Sequence, residues 1–219
     1  MFVFDLVGGE NHPVYQDLSI ENLDRQYGFL RSAVVAALAL QRPMLSSEVI
    51  KALNYHAISC LHTNAGEYRP CAVTVGEYQP PAHYRVPALM DMFVDEVNRS
   101  WQDADPVGLA AYVLWRLNHI HPFINGNGRT ARVACYYVLC LKVGAWLPGD
   151  VILPELIRAN REAYVAALKA ADASLAAGAP DLSALHQYLT ALLTAQFGEV
   201  AGPPQEPANE DGANGPAET

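Results

Sequence analysis

The chain of 219 residues is long enough for one domain with its own hydrophobic core. Hydrophobic residues make up 51% of it and charged residues 17%, a globular composition that excludes a largely disordered chain. The net charge of −9 argues against a general binder of nucleic acids or of anionic membranes. Residues 198–219 are rich in Gly, Pro and Glu and show no periodicity, so we expect a disordered acidic tail there.

Features that would direct the chain to a membrane or to an oxidising compartment are missing from the sequence. Its start, MFVFDLVGGE, lacks the basic and long apolar regions of a signal peptide. No apolar run reaches the ~18–20 residues needed to span a bilayer. The cysteines form no CxxC pair, which argues against a zinc site or a redox motif. We therefore expect a cytoplasmic protein with reduced thiols and no membrane partner.

Apolar residues recur at helical spacing over most of the chain, and prolines, serines and glycines mark the helix ends. The segment 106–120 is apolar on nearly every face and is therefore expected at the centre of the fold. The pattern predicts helices at about 23–40, 48–61, 87–101, 106–120, from the glycines after 125 to 143, 155–173 and 182–197.

One segment, residues 68–87, breaks the helical pattern, because it contains four prolines and a short β-branched run. The run is Val73-Thr74-Val75, followed by Gly76. Since proline confines strands to sheet edges, the run predicts a strand or a small hairpin at the surface. An unpaired edge can bind the main chain of another protein, so Val73, Thr74 and Val75 are predicted to dock a protein target.

The densest polar chemistry lies in HIHPFINGNGRTAR, residues 119–132. His121 stands before Pro122, which ends the preceding helix and leaves the imidazole on a turn. The glycine-rich turn after it leads into the next helix, where unpaired N–H groups and the helix dipole favour an anion. Arg129 and Arg132 are three residues apart, on one face of that helix, and add phosphate donors. The stretch predicts a polyphosphate site with a general base, His121, beside it.

HPFINGNGRTAR closely resembles the signature of the Fic (filamentation induced by cAMP) family of the Fic/DOC superfamily, which is written HPFx[D/E]GNGRxxR. The resemblance extends to NAGEYR, which is similar to the family's glycine–arginine segment, and to VTVGEYQPP, which is similar to its hairpin called the flap. It also includes NREAYVAALKAAD, which is similar to a helix that follows the signature in the family. It implies an N-terminal extension (1–24), a Fic domain (25–197) and the acidic tail. The implied fold is all-α, a compact helical bundle with one short β-hairpin. The implied activity is that of a protein adenylyltransferase, which transfers AMP from ATP to a Ser, Thr or Tyr hydroxyl of a target protein.

By this resemblance, each matching position has an implied role. His121 would deprotonate the target hydroxyl, and Phe123 would anchor the loop in the core. The implied partner is a protein target; homodimerisation is left open, and no direct nucleic-acid contact is expected. Nucleotide and phosphate binding would fall to Gly126, Asn127, Gly128, Arg129, Arg132, Asn160 and Tyr164, the last two in the adenine pocket.

Asn125 departs from the family signature, which has Asp or Glu at this position to bind Mg²⁺. The implied substrate is ATP and the implied cofactor Mg²⁺, and an Asn keeps an oxygen for the cation but removes a full negative charge. Asn125 is thus a candidate metal ligand of reduced affinity. Three interpretations remain: a slower Mg²⁺-dependent transferase, an enzyme that uses another phosphate-containing donor, and a catalytically weakened nucleotide-binding or scaffold protein.

Many Fic proteins carry an inhibitory helix, [S/T]xxxE[G/N], whose Glu pairs with the second arginine of the signature. DLSIEN, residues 17–22, has the Glu21-Asn22 ending, but Asp17 stands where Ser or Thr is expected. GGEN, residues 8–11, departs in the same way, with Leu6 at that place. The alternative interpretation of DLSIEN is that Ser19 caps the first helix with acidic residues nearby.

Overall fold

A computed structural model describes residues 2–175 and 178–198 of the chain. Within these residues, α-helices account for nearly all regular structure. The described residues contain no extended strand and only two isolated β-bridges. A single 3-10 turn, His83–Arg85, precedes the fourth α-helix. The α-helices are α1 (Val3–Val7), α2 (Pro13–Ala39), α3 (Ser47–Ile58), α4 (Val86–Arg99), α5 (Pro106–Ile120), α6 (Asn127–Val143), α7 (Leu153–Ala159), α8 (Arg161–Leu175) and α9 (Ser183–Gly198).

Local capping explains why the helices begin where they do. Ser46 accepts a hydrogen bond from the Val49 N–H at the start of α3 (3.2 Å), and Asp105 caps α5 at the Gly108 N–H (2.6 Å). Each is a short polar side chain that satisfies one of the unpaired donors in the first helical turn. Helix ends are marked in the same local way: at the C-terminal end of α6, Gly144 adopts the left-handed conformation (φ 82°) that commonly ends a helix.

Two predicted helices differ from the structure by more than a few residues at their ends. The first begins at Pro13, ten residues before the predicted start at 23, because the buried residues of the missed part are only Tyr15 and the polar Asn22, which make no apolar pattern. The helix predicted at 155–173 is two helices, α7 and α8, separated at Asn160 (φ −105°, ψ 45°). No glycine or proline marks that break in the sequence.

The core is centred on α5 and α6, which pack along each other, as the all-round apolar character of residues 106–120 predicted. Residues 133–141 of α6 are all buried, so this helix is enclosed on every side. Its neighbours are α2, α3 and α7, while α5 also contacts α4, α8 and α9. Large side chains such as Trp115, Tyr136 and Phe93 are fully or almost fully buried, each stabilising the fold by roughly 1.5–3 kcal/mol or more. This rigid pair of helices carries the signature loop between them.

The N-terminal residues pack on the segment that follows α3. Val3 and Phe4 donate backbone hydrogen bonds to the carbonyls of Cys60 (3.0 Å) and Leu61 (3.1 Å), just after α3. The extension expected at 1–24 is not separated from the rest, since α2 runs across residues 24 and 25 without a break. The tail expected at 198–219 lies, apart from Gly198, outside the described residues.

The proline-rich segment forms a minimal hairpin. Val75 and Tyr78 exchange two backbone hydrogen bonds of 3.0 Å around a turn in which Gly76 has a positive φ of 58°. The predicted strand is thus one bridged pair, with Val73 and Thr74 outside the pairing. Among the described residues, none of the helices combines the length and apolar character that crossing a bilayer requires.

Candidate active site

A cleft of about 620 Å³ opens where α5 ends and α6 begins. One face of α8 forms a wall of the cleft, and the tip of the hairpin, from Val75 to Tyr78, forms another wall. The cleft is lined by apolar and aromatic side chains together with a few ionisable groups, as ligand pockets usually are. The lining includes Tyr78, His119, His121, Gly128, Arg132, Tyr164 and Asp172.

His121 is the residue that ends α5. Its backbone adopts the left-handed conformation (φ 52°, ψ 60°), which costs a non-glycine residue about 1–2 kcal/mol and directs the chain into Pro122. Burial lowers the pKa of the imidazole to about 4, with a further lowering from the Arg69 guanidinium, against a hydrogen bond to the backbone of Asn118 that raises the pKa. The ring is therefore neutral at physiological pH and able to accept a proton.

The N-terminus of α6 is left without a side-chain cap. Gly126 precedes the helix with φ 75°, and a Cβ there would lie 2.7 Å from the Ile58 Cγ2 atom, so only glycine fits. The first helical hydrogen bond is donated by the Thr130 N–H to the Gly126 carbonyl (2.9 Å). Within the described residues, the N–H groups of positions 127–129 have no acceptor. An uncapped first turn of a long helix is a site for an anion, and Gly128 places it in the cleft.

Asn127 and Phe123 fix the shape of the loop between the two helices. The Asn127 side chain accepts a hydrogen bond from the Phe123 N–H and donates one to the Phe123 carbonyl, both of 2.9 Å. Phe123 is fully buried, as the resemblance implied for a loop anchor. The Asn127 side chain thus holds the loop in place, and its N–H is one of the free donors of α6.

The two arginines of the signature point to different places. Arg132 lines the cleft, and within the described residues its guanidinium makes neither a hydrogen bond nor an ion pair. Arg129 instead donates hydrogen bonds to the Ala57 carbonyl (2.9 Å) and to Ser19 Oγ (3.2 Å), which ties α6 to α3 and α2. Arg129 does not line the cleft. The expectation that both arginines present one phosphate-binding face therefore holds for Arg132 alone.

Asn125, like Arg129, does not line the cleft. Both residues lie on the other side of the signature loop, here called the outer side. Its Oδ1 atom accepts a hydrogen bond from the Gly126 N–H (2.6 Å) and lies 3.5 Å from the Arg129 guanidinium, and its Nδ2 donates to Glu10 Oε1 (2.9 Å). Magnesium needs free oxygen ligands. The oxygen of Asn125 is already hydrogen-bonded and stands beside a cation, and the described residues contain no cluster of three metal-ligating side chains. This donor set does not fit Mg²⁺ at Asn125.

Tyr164 and Asn160, the two candidates for the adenine pocket, are separated. Tyr164 lines the cleft, accepts a hydrogen bond from Asn118 Nδ2 (2.8 Å) and stacks on Tyr188. Asn160 ends α7, where its side chain donates to the Leu156 carbonyl (2.9 Å). It lines a shallow depression beside the cleft instead of the cleft itself.

His119 links the hairpin to the helices behind the cleft. Its Nδ1 atom lies 3.0 Å from Asp172 Oδ1, and its carbonyl accepts a hydrogen bond from the Tyr78 hydroxyl (2.7 Å). The ring stacks on Trp115, whose Nε1–H also donates to Asp172 (2.9 Å). His119 is thus a hydrogen-bonded packing residue.

Glu21 does not reach the signature. Its side chain is exposed and pairs with Arg25 at 2.9 Å, one turn further along α2, so the inhibitory interpretation of DLSIEN is wrong for this structure. Ser19 is likewise inside α2, which His12 caps, and not at its start. The carboxylate that does approach the signature loop is Glu10, through Asn125.

Two buried polar residues outside the signature hold the loop, and sequence reasoning missed both as site residues. Asn54 on α3 donates to the Asn125 carbonyl (2.9 Å) and accepts from the Gly66 N–H (3.0 Å). Arg69 donates to the His121 carbonyl (2.8 Å). For Arg69 the resemblance to the glycine–arginine segment was a signal, whereas an isolated Asn within an apolar helix gives none.

Comparisons with known proteins agree with this architecture. A model of the Fic/DOC family matches residues 44–139. A crystal structure of a Fic-domain-containing signalling protein from Bacteroides thetaiotaomicron is 29% identical, with a TM-score of 0.61 over 82% of this chain and 73% of that chain. A Fic-1 fragment from C. elegans, 22% identical, superposes with a TM-score of 0.65 over 87% of this chain and 54% of the other.

Among curated proteins, the protein adenylyltransferase Fic of Drosophila willistoni is 44% identical over 69 residues, which are 31% of this chain and 14% of that protein. Proteins of the same name from Drosophila persimilis and Drosophila grimshawi match over stretches of the same length, at 44% and 42% identity. The matched stretch is thus a small part of these longer relatives. Together with the signature loop, the matches show that the chain is a Fic family protein with the all-α Fic fold.

Proposed function

We propose that this protein is a protein adenylyltransferase, which transfers AMP from ATP to a hydroxyl side chain of a target protein. One observation carries the proposal: a single cleft brings together a neutral imidazole, the uncapped N-terminus of α6 and an arginine without a partner among the described residues. These are a proton acceptor, an anion site and a phosphate ligand, which together are what nucleotidyl transfer needs. The similarity to relatives named protein adenylyltransferase supports the same reaction.

In the proposed reaction, the hydroxyl oxygen of the target attacks the α-phosphorus of ATP. His121 accepts the hydroxyl proton, a bond forms between that oxygen and the α-phosphorus, and the bond to the oxygen bridging to the β-phosphorus breaks. Pyrophosphate leaves. The free N–H groups of α6 and the Arg132 guanidinium stabilise the negative charge that develops on the phosphates. The protein contributes mainly positioning and electrostatics, since the reaction demands little covalent work from it.

The hairpin is the proposed docking site for the target. Val75 uses its backbone groups within the hairpin, whereas the backbone N–H groups of Val73 and Thr74 have no acceptor among the described residues. Thr74 is exposed, and the hairpin tip borders the cleft. A target segment that pairs with this edge would bring a hydroxyl to His121 through main-chain hydrogen bonds, which tolerate varied target sequences.

Labelled nucleotide tests the proposal directly. The protein is incubated with α-labelled or γ-labelled ATP and a cell lysate, and protein-bound label is measured, with His121→Ala as the control. Transfer of the α-label alone, lost in the His121→Ala variant, is the expected result. Transfer of the γ-label alone would replace the proposal with phosphate transfer. Transfer of neither label would point to a different phosphate-containing donor or to loss of activity, which a screen of other nucleotide donors separates.

A nucleotide-binding protein without transferase activity is the second candidate. The outer side of the loop favours it, because Asn125 replaces the acidic residue of the signature and its oxygen is hydrogen-bonded to Gly126. Arg129, moreover, is bound to Ala57 and Ser19 instead of the cleft. Label transfer distinguishes the two candidates, because both are expected to bind ATP with or without the His121 side chain. ATP binding measured by calorimetry, together with no label transfer from any donor, would establish the second.

A further inference from the structure

Arg69 is a buried arginine whose guanidinium donates hydrogen bonds only to backbone carbonyls. It is 2% exposed, and no carboxylate lies within ion-pair distance of it among residues 2–175 and 178–198. Burying a guanidinium without a counter-ion is costly unless its donors are satisfied. Burial lowers the pKa of Arg69, but an arginine keeps its charge in a folded protein. A residue in such an environment needs a reason beyond packing.

Every nitrogen of the guanidinium donates to a carbonyl in the same region. Nε donates to His121 (2.8 Å), Nη1 donates to Cys71 (3.0 Å) and Nη2 donates to Pro81. The backbone N–H of Arg69 donates to the Pro122 carbonyl (2.8 Å). One residue thus joins the loop that carries His121 to both ends of the hairpin.

The carbonyls that Arg69 binds belong to segments with few other hydrogen bonds, apart from the one that the Tyr78 hydroxyl donates from the hairpin to the His119 carbonyl (2.7 Å). His121 holds a left-handed backbone conformation that a non-glycine residue adopts only under constraint. The hairpin between Cys71 and Pro81 has one bridged pair, Val75 with Tyr78, and no neighbouring strand among the described residues. Without Arg69, nothing in the described backbone hydrogen bonds would tie the two hairpin ends to each other.

We propose that Arg69 is a positioning residue, which fixes the His121 backbone and the base of the hairpin as one unit. Only the effect on catalysis rests on the proposed function. If the target docks on the hairpin, Arg69 sets the distance between that target and the imidazole that takes its proton. A displacement of about 1 Å at such a point can cost on the order of 10²-fold in rate.

The charge of Arg69 has a second effect, since it opposes protonation of the nearby His121 ring. Other ionisable groups face the same cleft from each element packed around it: Glu77 and Tyr78 from the hairpin, His119 from α5, Arg132 from α6, and Arg161, Tyr164, Lys169 and Asp172 from α8. Asp172 is paired with His119. A variant that removes only the charge of Arg69 leaves these groups in place.

Two substitutions separate the hydrogen-bond fork from the charge. Arg69→Lys keeps the charge but has one nitrogen for three carbonyls, whereas Arg69→Gln loses the charge and most of the donors. Lys142→Gln is a matched control, because Lys142 also donates to a backbone carbonyl, that of Trp101, but does not line the cleft. Thermal unfolding identifies any variant that fails to fold. If Arg69→Gln does not fold, the measurements are made on Arg69→Lys.

Hydrogen exchange of the whole protein, without any ligand, tests the positioning role. In both Arg69 variants we expect amides of residues 70–82 and 119–126 to exchange about tenfold faster or more, together, with little change in α9. Lys142→Gln should leave both segments unchanged. The proposal is wrong if a folded Arg69 variant keeps wild-type exchange in both segments, or if only one segment responds.

The titration of His121 by NMR adds a readout that a purely structural role would not move. With the resonance assigned by its loss in His121→Asn, the pKa should rise above about 4 in Arg69→Gln and stay low in Arg69→Lys. An unchanged pKa in Arg69→Gln would overturn the electrostatic part.

In activity assays both variants should lower kcat for the target more than they raise the KM for ATP. If the wild type transfers no label but exchange behaves as expected, the proposed function fails and the positioning role stands.

Discussion

The signature loop has two sides that differ in what they contact. On the inner side, His121, Gly128 and Arg132 line the cleft, and the Arg132 guanidinium makes no hydrogen bond or ion pair with the described residues. On the outer side, Asn125 and Arg129 are hydrogen-bonded to α2, α3 and the N-terminal segment. Residues of one contiguous motif are thus divided between chemistry and structure. A match to a signature therefore identifies a site, while the division of roles within it depends on the elements that pack against each side.

The largest expected effect is on the inner side. His121→Ala should lower transferase activity by about 10²–10⁴-fold, because it removes the general base. The measurement is the rate of AMP incorporation into a target protein, with ATP binding followed by calorimetry.

His121→Asn is the matched control, since asparagine tolerates the left-handed backbone of this position better than alanine does. Both variants should lose activity and bind ATP nearly as the natural protein does. Wild-type turnover in either variant would show that His121 is not the base.

Substituting the two arginines should affect different properties, nucleotide binding for Arg132 and stability for Arg129. Arg132→Ala should weaken ATP binding by roughly 10- to 100-fold, the range for losing hydrogen bonds to a charged group, and should weaken AMP binding less. Arg129→Ala should instead lower the free energy of unfolding, because it breaks the bonds to Ala57 and Ser19. Calorimetry with ATP and AMP, and denaturant unfolding of both variants, are the measurements. Equal losses of ATP affinity in the two variants would place both arginines on the nucleotide.

The sequence predicted most helices and the site, but not this division of the loop. Proline and glycine at the loop, and apolar periodicity around it, are local signals that do not depend on neighbours. Arg129 and Arg132 are about one turn apart on the same face of α6 by helical geometry, and spacing alone predicts the same partner for both. Their separation depends on Ser19 and the Ala57 carbonyl, which are 110 and 72 residues away from Arg129 along the chain. Such long-range contacts leave no periodic trace in the sequence.

The hairpin extends the comparison, because its outer edge is expected to bind the target and not the nucleotide. Thr74→Pro removes one backbone donor and should reduce target modification roughly three- to tenfold, the contribution of one hydrogen bond, while ATP affinity is unchanged. Thr74→Val keeps the donor and removes only the hydroxyl, so it should behave as the natural protein does. Target modification is measured at several target concentrations. Equal modification by the two variants would show that the target docks elsewhere.

Asn125 offers the sharpest test of the outer side. Asn125→Asp replaces the Nδ2 that donates to Glu10 with a carboxylate oxygen about as close to the Glu10 carboxylate, so two negative charges would meet. Such a pair is unfavourable unless a cation or a proton lies between the charges. We expect the variant to gain transferase activity and to need less Mg²⁺, by about fivefold, for half of the maximal rate, since even ~1 kcal/mol of tighter metal binding has this effect.

Glu10→Gln decides where that gain comes from. In the double variant Asn125→Asp/Glu10→Gln, the glutamine amide can donate to the new carboxylate, so the hydrogen bond is restored with its direction reversed. If the Asp alone binds the cation, the double variant keeps the lower Mg²⁺ requirement; if the pair of carboxylates binds it, the requirement returns to that of the natural protein. Mn²⁺ binding, followed by its paramagnetic signal in the presence of ATP, measures the site without relying on turnover. A natural protein and an Asn125→Asp variant that are both inactive, with unchanged Mn²⁺ affinity, would contradict the expected gain and favour the nucleotide-binding protein.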